Sequence, residues 1–367
     1  MNWIALENPQ ELTSPDLFVV PSRIQDNIQQ MLATVGGAEY VGRLRPHVKT
    51  HKMTEVVVMQ IAVGVTKFKV STLSEAEMTA AAGATDVLVA VQPVGPNIDQ
   101  LSTLIENYPA TLFSAVVDNQ HSVTQLASTI GSESRPLRLW IDIDCGMGRT
   151  GIGFGEHLDA LHKAIGANPL TTLAGLHVYD GHVHDALLAI RTQKVRSIIQ
   201  SLRSHIADHQ VNSIVGGGTP TFGIWAVETP WECSPGTPLL WDVGYANAYT
   251  EMPFQLAAAL VTRVVSKPST SRLCLDLGHK AVASEMPLAD RVVLPQLPRA
   301  TFLTHNEEHL VVGSALADEF AVGDVLLAYP KHICPTVALY DSVAVVREDR
   351  VTKERWEVTS RGRLVSV

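Results

Sequence analysis

The chain has 367 residues, of which 46% are hydrophobic and 18% charged, and a formal net charge of -9. The apolar content is enough for a sizeable buried core, and the length suits one large domain plus a smaller one. The acidic balance argues against nucleic acid or an anionic membrane as the main partner, although a local basic cluster can still bind a small anion.

The opening "MNWIALENPQELTSPDLFVV" has no basic leader and no long apolar run, so the expectation is a soluble start and not a signal peptide. No window reaches the roughly 18 uninterrupted apolar residues of a membrane span. Cys145, Cys233, Cys274 and Cys334 are scattered without a C-x-x-C pair. That spacing signals neither a disulfide framework nor a zinc ribbon, and a reducing cytoplasm is expected.

Over residues 20–245 short apolar runs alternate with amphipathic stretches. In order these are "TKFKVSTL", "SEAEMTAAAGA", "DVLVAV", "NIDQLSTLIENY", "TLFSAVVD", "QHSVTQLASTI", "LRLWIDID", "HLDALHKAIGA", "TLAGLHVYDG", "LLAIRTQKVRSIIQSLRSHIADH" and "SIVGGG". The apolar runs are rich in Val, Ile and Leu, as buried parallel strands are, and each intervening stretch is long enough for a crossover helix. Repeated βα units make either a closed barrel or an open doubly wound sheet, and about seven or eight units in this length favour an eight-fold (β/α)8 barrel. From residue 246 to 367 the runs shorten and are split by Gly, Pro and charged turns: "QLAAALVTRVVSKP", "RLCLDLG", "RVVLPQ", "ATFLTHNEEHLVVG", "DVLLAYP", "DSVAVVREDRV" and "ERWEVTSRGRLV". This is the texture of a mostly antiparallel β domain.

Several motifs carry chemistry. "LRPHVKTHK" packs one arginine, two histidines and two lysines into nine residues, Leu44 to Lys52. The run "YVGRLRPH" would deliver Lys49 near a strand's carboxyl end, where barrel chemistry sits. A lysine desolvated there among other cations suits Schiff-base formation with an aldehyde, whereas spacing alone favours a solvated basic turn. "DIDCGMGRTG" places Asp142, Asp144 and Arg149 after an apolar strand, with glycines that leave the loop open to a ligand. Arg149 offers a fork for a phenolate or carboxylate, and helix capping by the aspartates is the plainer reading. "GLHVYDGHVHD" sets His177 and Tyr179 at another strand end, with Asp180, His182 and His184 beyond. Histidines in such a loop more often orient substrate or face water than bind metal. In "GGGTP", Gly217, Gly218 and Thr219 can turn amides and a hydroxyl toward a phosphate, or simply form a tight loop. In "YPKHICPTV", His332 and Cys334 would project to one side of an extended segment and offer imidazole and thiolate to a metal. A buried cysteine beside an exposed histidine is the plainer alternative.

Together "RPHVKTHK", "DCGMGRTG", "HVYDGHVH", "GGGTPT", "SPGT", "DLGHKA", "EEH" and "HICPTV", in this order along nearly the whole chain, resemble the metal-dependent, fold-type III pyridoxal phosphate enzymes that include D-threonine aldolase and D-serine dehydratase. The resemblance implies an alanine racemase-like barrel over residues 20–245, with residues 1–19 joining 246–367 in the β domain that carries the metal. Lys49 matches the Schiff-base lysine, Arg149 the arginine near the cofactor's 3-oxygen, and Tyr179 a side chain approaching the pyridine nitrogen. Gly217, Gly218 and Thr219 match the phosphate loop, while His332 and Cys334 match the metal ligands. The basic cluster then fits an anionic cofactor pocket, with His47 orienting cofactor or substrate and His51 and Lys52 tuning the local field.

The resemblance also implies a homodimer, a small D-amino acid substrate, and no nucleic acid or membrane partner. His-x-Cys is similar to the dehydratase branch and His-x-Asp to several aldolases, so a β-hydroxy-D-amino acid dehydratase is expected, with retro-aldol cleavage as the alternative and His182 or His184 as the second base. Zinc is the expected metal, with manganese or magnesium as alternatives. An amino-acid racemase, which needs no metal, and a non-catalytic pyridoxal phosphate carrier, which would be a lone barrel, fit less well.

Overall fold

The computed structural model describes residues 2–208, 211 and 213–366. His209, the last residue of the long helical run, and Asn212 lie outside the described residues. Strand β1 (Asp16–Val19) and the helix Pro21–Thr34 precede seven parallel strands. These are β2 (Lys67–Val70), β3 (Asp86–Val89), β4 (Leu112–Val117), β5 (Leu137–Ile143), β6 (Thr171–Val178), β7 (Ile214–Gly216) and β8 (Glu232–Cys233), adjacent in space in that order. Helices Leu73–Ala81, Pro96–Asn107, Gln120–Ile130, Glu156–Ala167, Leu188–Asp208 and Phe222–Glu228 connect them. Their capping is local chemistry: the Thr72 side chain accepts from the Glu75 amide, and the Asn119 side chain from that of Ser122.

Residues 44–47 close this sheet. Leu44 bridges Cys233 and His47 bridges Lys69, both in parallel sense. The Arg45 amide donates to Cys233 O (2.9 Å), the His47 amide to Pro235 O (2.8 Å), and the Lys69 amide to Pro46 O (2.9 Å). Pro46 has no amide to give, so this stave stays a short extended segment. The array is the parallel βα barrel expected from the sequence.

Inside the barrel Leu88, Val116, Trp140, Ala174 and Val215 form one apolar cluster. The Trp140 indole donates to Ser114 Oγ at 3.0 Å, which satisfies the one polar atom a buried indole carries. Gly175 is required beside it, because a Cβ there would stand 2.7 Å from Trp140 Cζ3 and φ is +154°. At the amino-terminal ends of the strands lies a buried ion network. Arg45, 1% exposed, bonds Asp86 Oδ1 at 2.6 Å and Glu232 Oε2 at 2.7 Å, while Lys67 reaches Glu232 Oε1 at 2.5 Å. The arginine of the basic cluster therefore belongs to the barrel's floor and not to an anion pocket.

The second sheet comprises β1 with β9 (Ala258–Ser269), β10 (Arg272–Leu275), β11 (Val292–Val293), β12 (Thr301–His305), β13 (Leu310–Gly313), β14 (Val325–Pro330), β15 (Ser342–Arg347) and β16 (Arg350–Glu357). Its order is β12-β13-β10-β9-β1-β15-β16, and β14 also pairs with β9 and β11. Only the β1–β15 pair is parallel among these described strands. Phe18, Trp241, Tyr249, Val261 and Tyr329 anchor its core. The sequence run "ATFLTHNEEHLVVG" is a hairpin, turned where the Asn306 amide donates to His309 O.

The chain divides into two compact units. One contains residues up to Gln30, Thr50–Met53 and Thr237–Arg361; the other contains Met31–Lys49, Thr54–Gly236 and the residues from Gly362 on. The β unit thus takes more of the chain than residues 1–19 and 246–367, for a visible reason. Val20 N donates to Ala257 O, the Arg23 guanidinium to Leu256 O, and the Asn27 amide side chain to Gln255 O and Leu239 O. Those bonds stitch the first half of the helix Pro21–Thr34 to residues 239–257.

Candidate active site

At the carboxyl ends of the barrel strands a cavity of about 370 Å³ is lined by His47, Lys49, Lys69, Asp142, Arg149, His177 and Tyr179, among others. Three cations converge on one aromatic ring. Lys49 Nζ lies 5.6 Å, Lys69 Nζ 5.7 Å and Arg149 Cζ 5.1 Å from the centre of the Tyr179 ring. Lys49 is half-buried in the short turn Val48–Thr50, where its own amide donates to His47 Nδ1 at 3.3 Å. His47 Nε2 in turn meets Ser71 Oγ at 3.0 Å, so the imidazole is fixed from both sides.

Lys69 was not singled out from the sequence. It is 3% exposed and its Nζ lies 3.3 Å from His177 Nε2, while His177 Nδ1 lies 2.7 Å from Asp142 Oδ1. Burial, then the neighbouring Lys49, lower the Lys69 amine to about 7; Asp142 and Asp180 oppose this. Burial would raise the Asp142 carboxyl, but the bond and charge of His177 and the Thr150 hydroxyl at 2.9 Å hold it below its ordinary value. His177 is lowered by burial and by Lys69. The available signal was a pair of lysines at positions 67 and 69, on one face of a strand otherwise built to be buried.

The loop after β5 is organised by Asp144, whose Oδ1 accepts from the amides of Gly146 (2.9 Å), Met147 (2.9 Å) and Gly148 (3.1 Å). Asp144 therefore anchors the turn that carries Arg149, and those bonds hold its carboxyl low. Gly151 has φ +96°, and a Cβ on it would come within 2.6 Å of the Asp144 amide, so the loop's return requires glycine.

The structure does not bring every expected residue into the cavity. Gly217, Gly218 and Thr219 follow β7 but are not among its lining residues. A Cβ on Gly218 would lie 3.0 Å from Tyr179 Cε2, so the loop abuts the edge of that ring. Asp180 ties the loop down, accepting from Thr221 Oγ1 at 2.8 Å and from the Trp225 indole at 2.7 Å. His184 is exposed, and His182 is half-buried with Nδ1 enclosed and unbonded; neither lines the cavity. His51 and Lys52 fall in the other unit, where Lys52 O accepts from Ser360 N.

In the β unit, the extended segment expected around His332 is instead the start of a short helix, Ile333–Val337, with His332 at its N-cap. The helix is anchored by the buried Asp242 carboxylate, which accepts from Ile333 N at 3.2 Å and Tyr245 N at 2.9 Å. His332 and Cys334 still meet: the imidazole bonds the thiol sulfur, and Nδ1 bonds Glu285 Oε1 at 2.6 Å. Cys334 Sγ also lies 3.1 Å from Thr50 Oγ1 and 3.6 Å from Thr237 Oγ1. Burial opposes charge on His332, but Cys334 and then Glu285 outweigh it and lift the imidazole to about 9; His332 likewise overrides burial and holds the Cys334 thiol low.

These residues fit the groups that the sequence motifs imply. Three cations around one aromatic ring, in a cavity beside a glycine loop, suit an anionic aldehyde phosphate. A thiolate next to an imidazole suits a borderline-soft divalent ion. Among the described residues no group of three His, Cys, Asp or Glu side chains is gathered to hold a metal ion.

Residues 19–225 match the family described as alanine racemase, N-terminal domain, and residues 257–346 match a putative serine dehydratase domain. The chain belongs to the alanine racemase N-terminal-domain family, the barrel of the fold-type III pyridoxal phosphate enzymes. It is 28% identical over 366 residues to a D-threonine aldolase of Arthrobacter sp, covering 95% of this chain and 93% of that one. It is 26% identical over 383 residues to the D-threo-3-hydroxyaspartate dehydratase of Delftia sp. (strain HT23), covering 94% and 97% of the two chains. The crystal structure of D-threonine aldolase from Filomicrobium marinum has the same fold, with a TM-score of 0.86 at 24% identity over 99% of this chain and 100% of that one.

Proposed function

We propose that this chain is a pyridoxal phosphate- and divalent metal-dependent lyase of β-hydroxy-D-amino acids, acting as a D-serine or D-threonine dehydratase that releases a 2-oxo acid and ammonia. The observation that carries the reading is the convergence of Lys49, Lys69 and Arg149 on Tyr179 in the barrel-top cavity. When bound, the cofactor supplies an electron sink for charge developing at the substrate's Cα, and the divalent ion a Lewis acid for its β-oxygen.

The chain supplies the rest. Lys49, at the lip of the cavity, is the amine that holds the cofactor and, once freed, takes the Cα proton. Arg149 presents a planar fork to an anionic oxygen, and Tyr179 covers one face of the site against water. Gly217, Gly218 and Thr219, in the loop that abuts the edge of the Tyr179 ring, would take the phosphate. His332 and Cys334 would hold the metal, and the sulfur ligand favours zinc over manganese or magnesium. In dehydration the Cα–H and Cβ–O bonds break, water leaves, and hydrolysis of the resulting enamine gives the 2-oxo acid and ammonia. Zinc polarises a departing oxygen well, which favours this outcome. The relationship to the Delftia dehydratase agrees with it.

Aldol cleavage to glycine and an aldehyde is the second reading, favoured by the identity with the Arthrobacter D-threonine aldolase. It needs a base for the β-hydroxyl proton. Of the two histidines after β6, the half-buried His182 suits that role better than the exposed His184.

D-threonine tests both. The purified protein is incubated with pyridoxal phosphate, zinc or manganese, and D-threonine, and the products are identified. 2-Oxobutanoate with ammonia establishes dehydration, whereas glycine with acetaldehyde establishes aldol cleavage. Neither product, with D-serine also inert, overturns the substrate class.

A further inference from the structure

Lys69 enters the barrel interior from β2, and its ammonium stands against the cavity without a carboxylate in ion-pair contact among the described residues. Among the described residues its one hydrogen-bonding neighbour is His177. Asp142 is held as a carboxylate, which only accepts, so the Nδ1 of His177 carries the ring proton and its Nε2 is a lone pair facing Lys69. The amine therefore donates one proton to His177, and its remaining protons are left to face the cavity. Thr150 and Asp142 fix the imidazole, and the imidazole fixes the amine.

A buried cation without a counter-ion is costly, and a methionine would fill the same volume at no such cost. A buried, electrostatically unfavourable side chain in a cavity marks a functional site more often than a structural one. The groups that act on Lys69 are Lys49, Arg45, Asp142 and Asp180, with His177 and the Tyr179 ring in contact. Two of the four are cations that repel it, and the two carboxylates already bond His177, Thr150, Thr221 and Trp225. What this arrangement lacks is an anion in the cavity itself.

We propose that Lys69 is a cofactor-contacting residue: its ammonium, aimed by the Asp142–His177 pair, is the fixed positive charge against the anionic ring substituents of pyridoxal phosphate. This deepens the function proposed above and rests on its cofactor assignment. Lys49 holds the cofactor, Arg149 approaches from the loop after β5, and Lys69 completes the positive wall from inside the barrel. The charge at Lys69 sets both how tightly the cofactor binds and how its lysine-bound chromophore titrates.

The test uses full-length protein stripped of cofactor and titrated with pyridoxal phosphate, following the visible band of the lysine-bound form across pH 6–10. Lys69→Met is expected to weaken binding at least tenfold and to displace both the band and its pH midpoint. Lys69→Arg is expected to recover most of the affinity, and His177→Gln, which loosens the aim but keeps the charge, to fall between. A merely structural lysine would move none of the spectral properties. A Lys69→Met protein that binds as tightly as wild type with an unchanged band and midpoint overturns the proposal. Should Lys69→Met fail to fold, a His177→Gln protein with wild-type affinity, band and midpoint would overturn it equally. If wild type forms no lysine-bound band, it is the cofactor assignment that falls.

Discussion

Replacing Lys69 by methionine should stabilise the cofactor-free protein. Lys69 is 3% exposed, and burial together with Lys49 lowers its amine from 10.5 to about 7, against the pull of Asp142 and Asp180. Between pH 7 and 10.5 the unfolded chain binds a proton that the folded chain does not, so wild-type stability rises with pH through that window; below pH 7 the full cost is present. At 1.36 kcal/mol per pKa unit that cost is on the order of 4–5 kcal/mol. The variant leaves His177 Nε2 without its donor, which costs about 1–3 kcal/mol at every pH. At pH 6 the balance is a gain of about 2 kcal/mol, or about 4–8 °C in melting temperature for a unit of this size. The assay is urea unfolding of cofactor-free wild type and variant from pH 6 to 10. The wild-type curve should climb, the variant's should lack that climb, and the two should cross at about pH 9, leaving wild type the more stable at pH 10. Parallel curves, or a less stable variant at pH 6, would refute the reasoning.

Other outcomes follow from the same geometry. Arg45→Met should destabilise the barrel by about 3–5 kcal/mol, because Asp86 and Glu232 lose their shared partner, whereas Lys49→Met should change stability by less than about 1 kcal/mol; thermal melts separate the two. Glu285→Gln should weaken zinc binding about 10–100-fold in competition with a chelator, since it removes the carboxylate that orients His332, and unchanged affinity would dismiss that role. Lys49→Ala should abolish the lysine-bound cofactor band, while His184→Ala should leave it intact.

The βα alternation was legible because buried parallel strands read as short Val- and Leu-rich runs, and each run from "TKFKV" to "SIVGG" became a strand of the barrel. The stave at 44–47 was legible only as the segment leading to Lys49, since Pro46 limits it to isolated bridges. His47, Lys49, Arg149 and Tyr179 could be placed from strand ends and do meet in one cavity. Lys69 was invisible to motif reading because it sits within a strand, where its partner His177 is 108 residues away. The split of the helix Pro21–Thr34 between units depends on Arg23 and Asn27 reaching carbonyls more than 200 residues on, which no local pattern encodes. His332 and Cys334 do meet, but not on the extended backbone expected: Asp242 receives the Ile333 amide and turns the segment into a helix.

The stave that ends in Lys49 is held by Arg45 N on Cys233 O, His47 N on Pro235 O and Lys69 N on Pro46 O, with the Ser234 hydroxyl on Arg45 O. It is the seam of the barrel. Where neighbouring strands share continuous ladders, this joint can part after a few bonds break, so the amides of Arg45, His47 and Lys69 should exchange with solvent sooner than those of β4 and β5. On the proposed role of Lys49, a cofactor linked there and gripped by the far wall acts as a rivet across the joint. Exchange at those three amides would then read out occupancy, and an empty barrel would be the one that comes apart along this line.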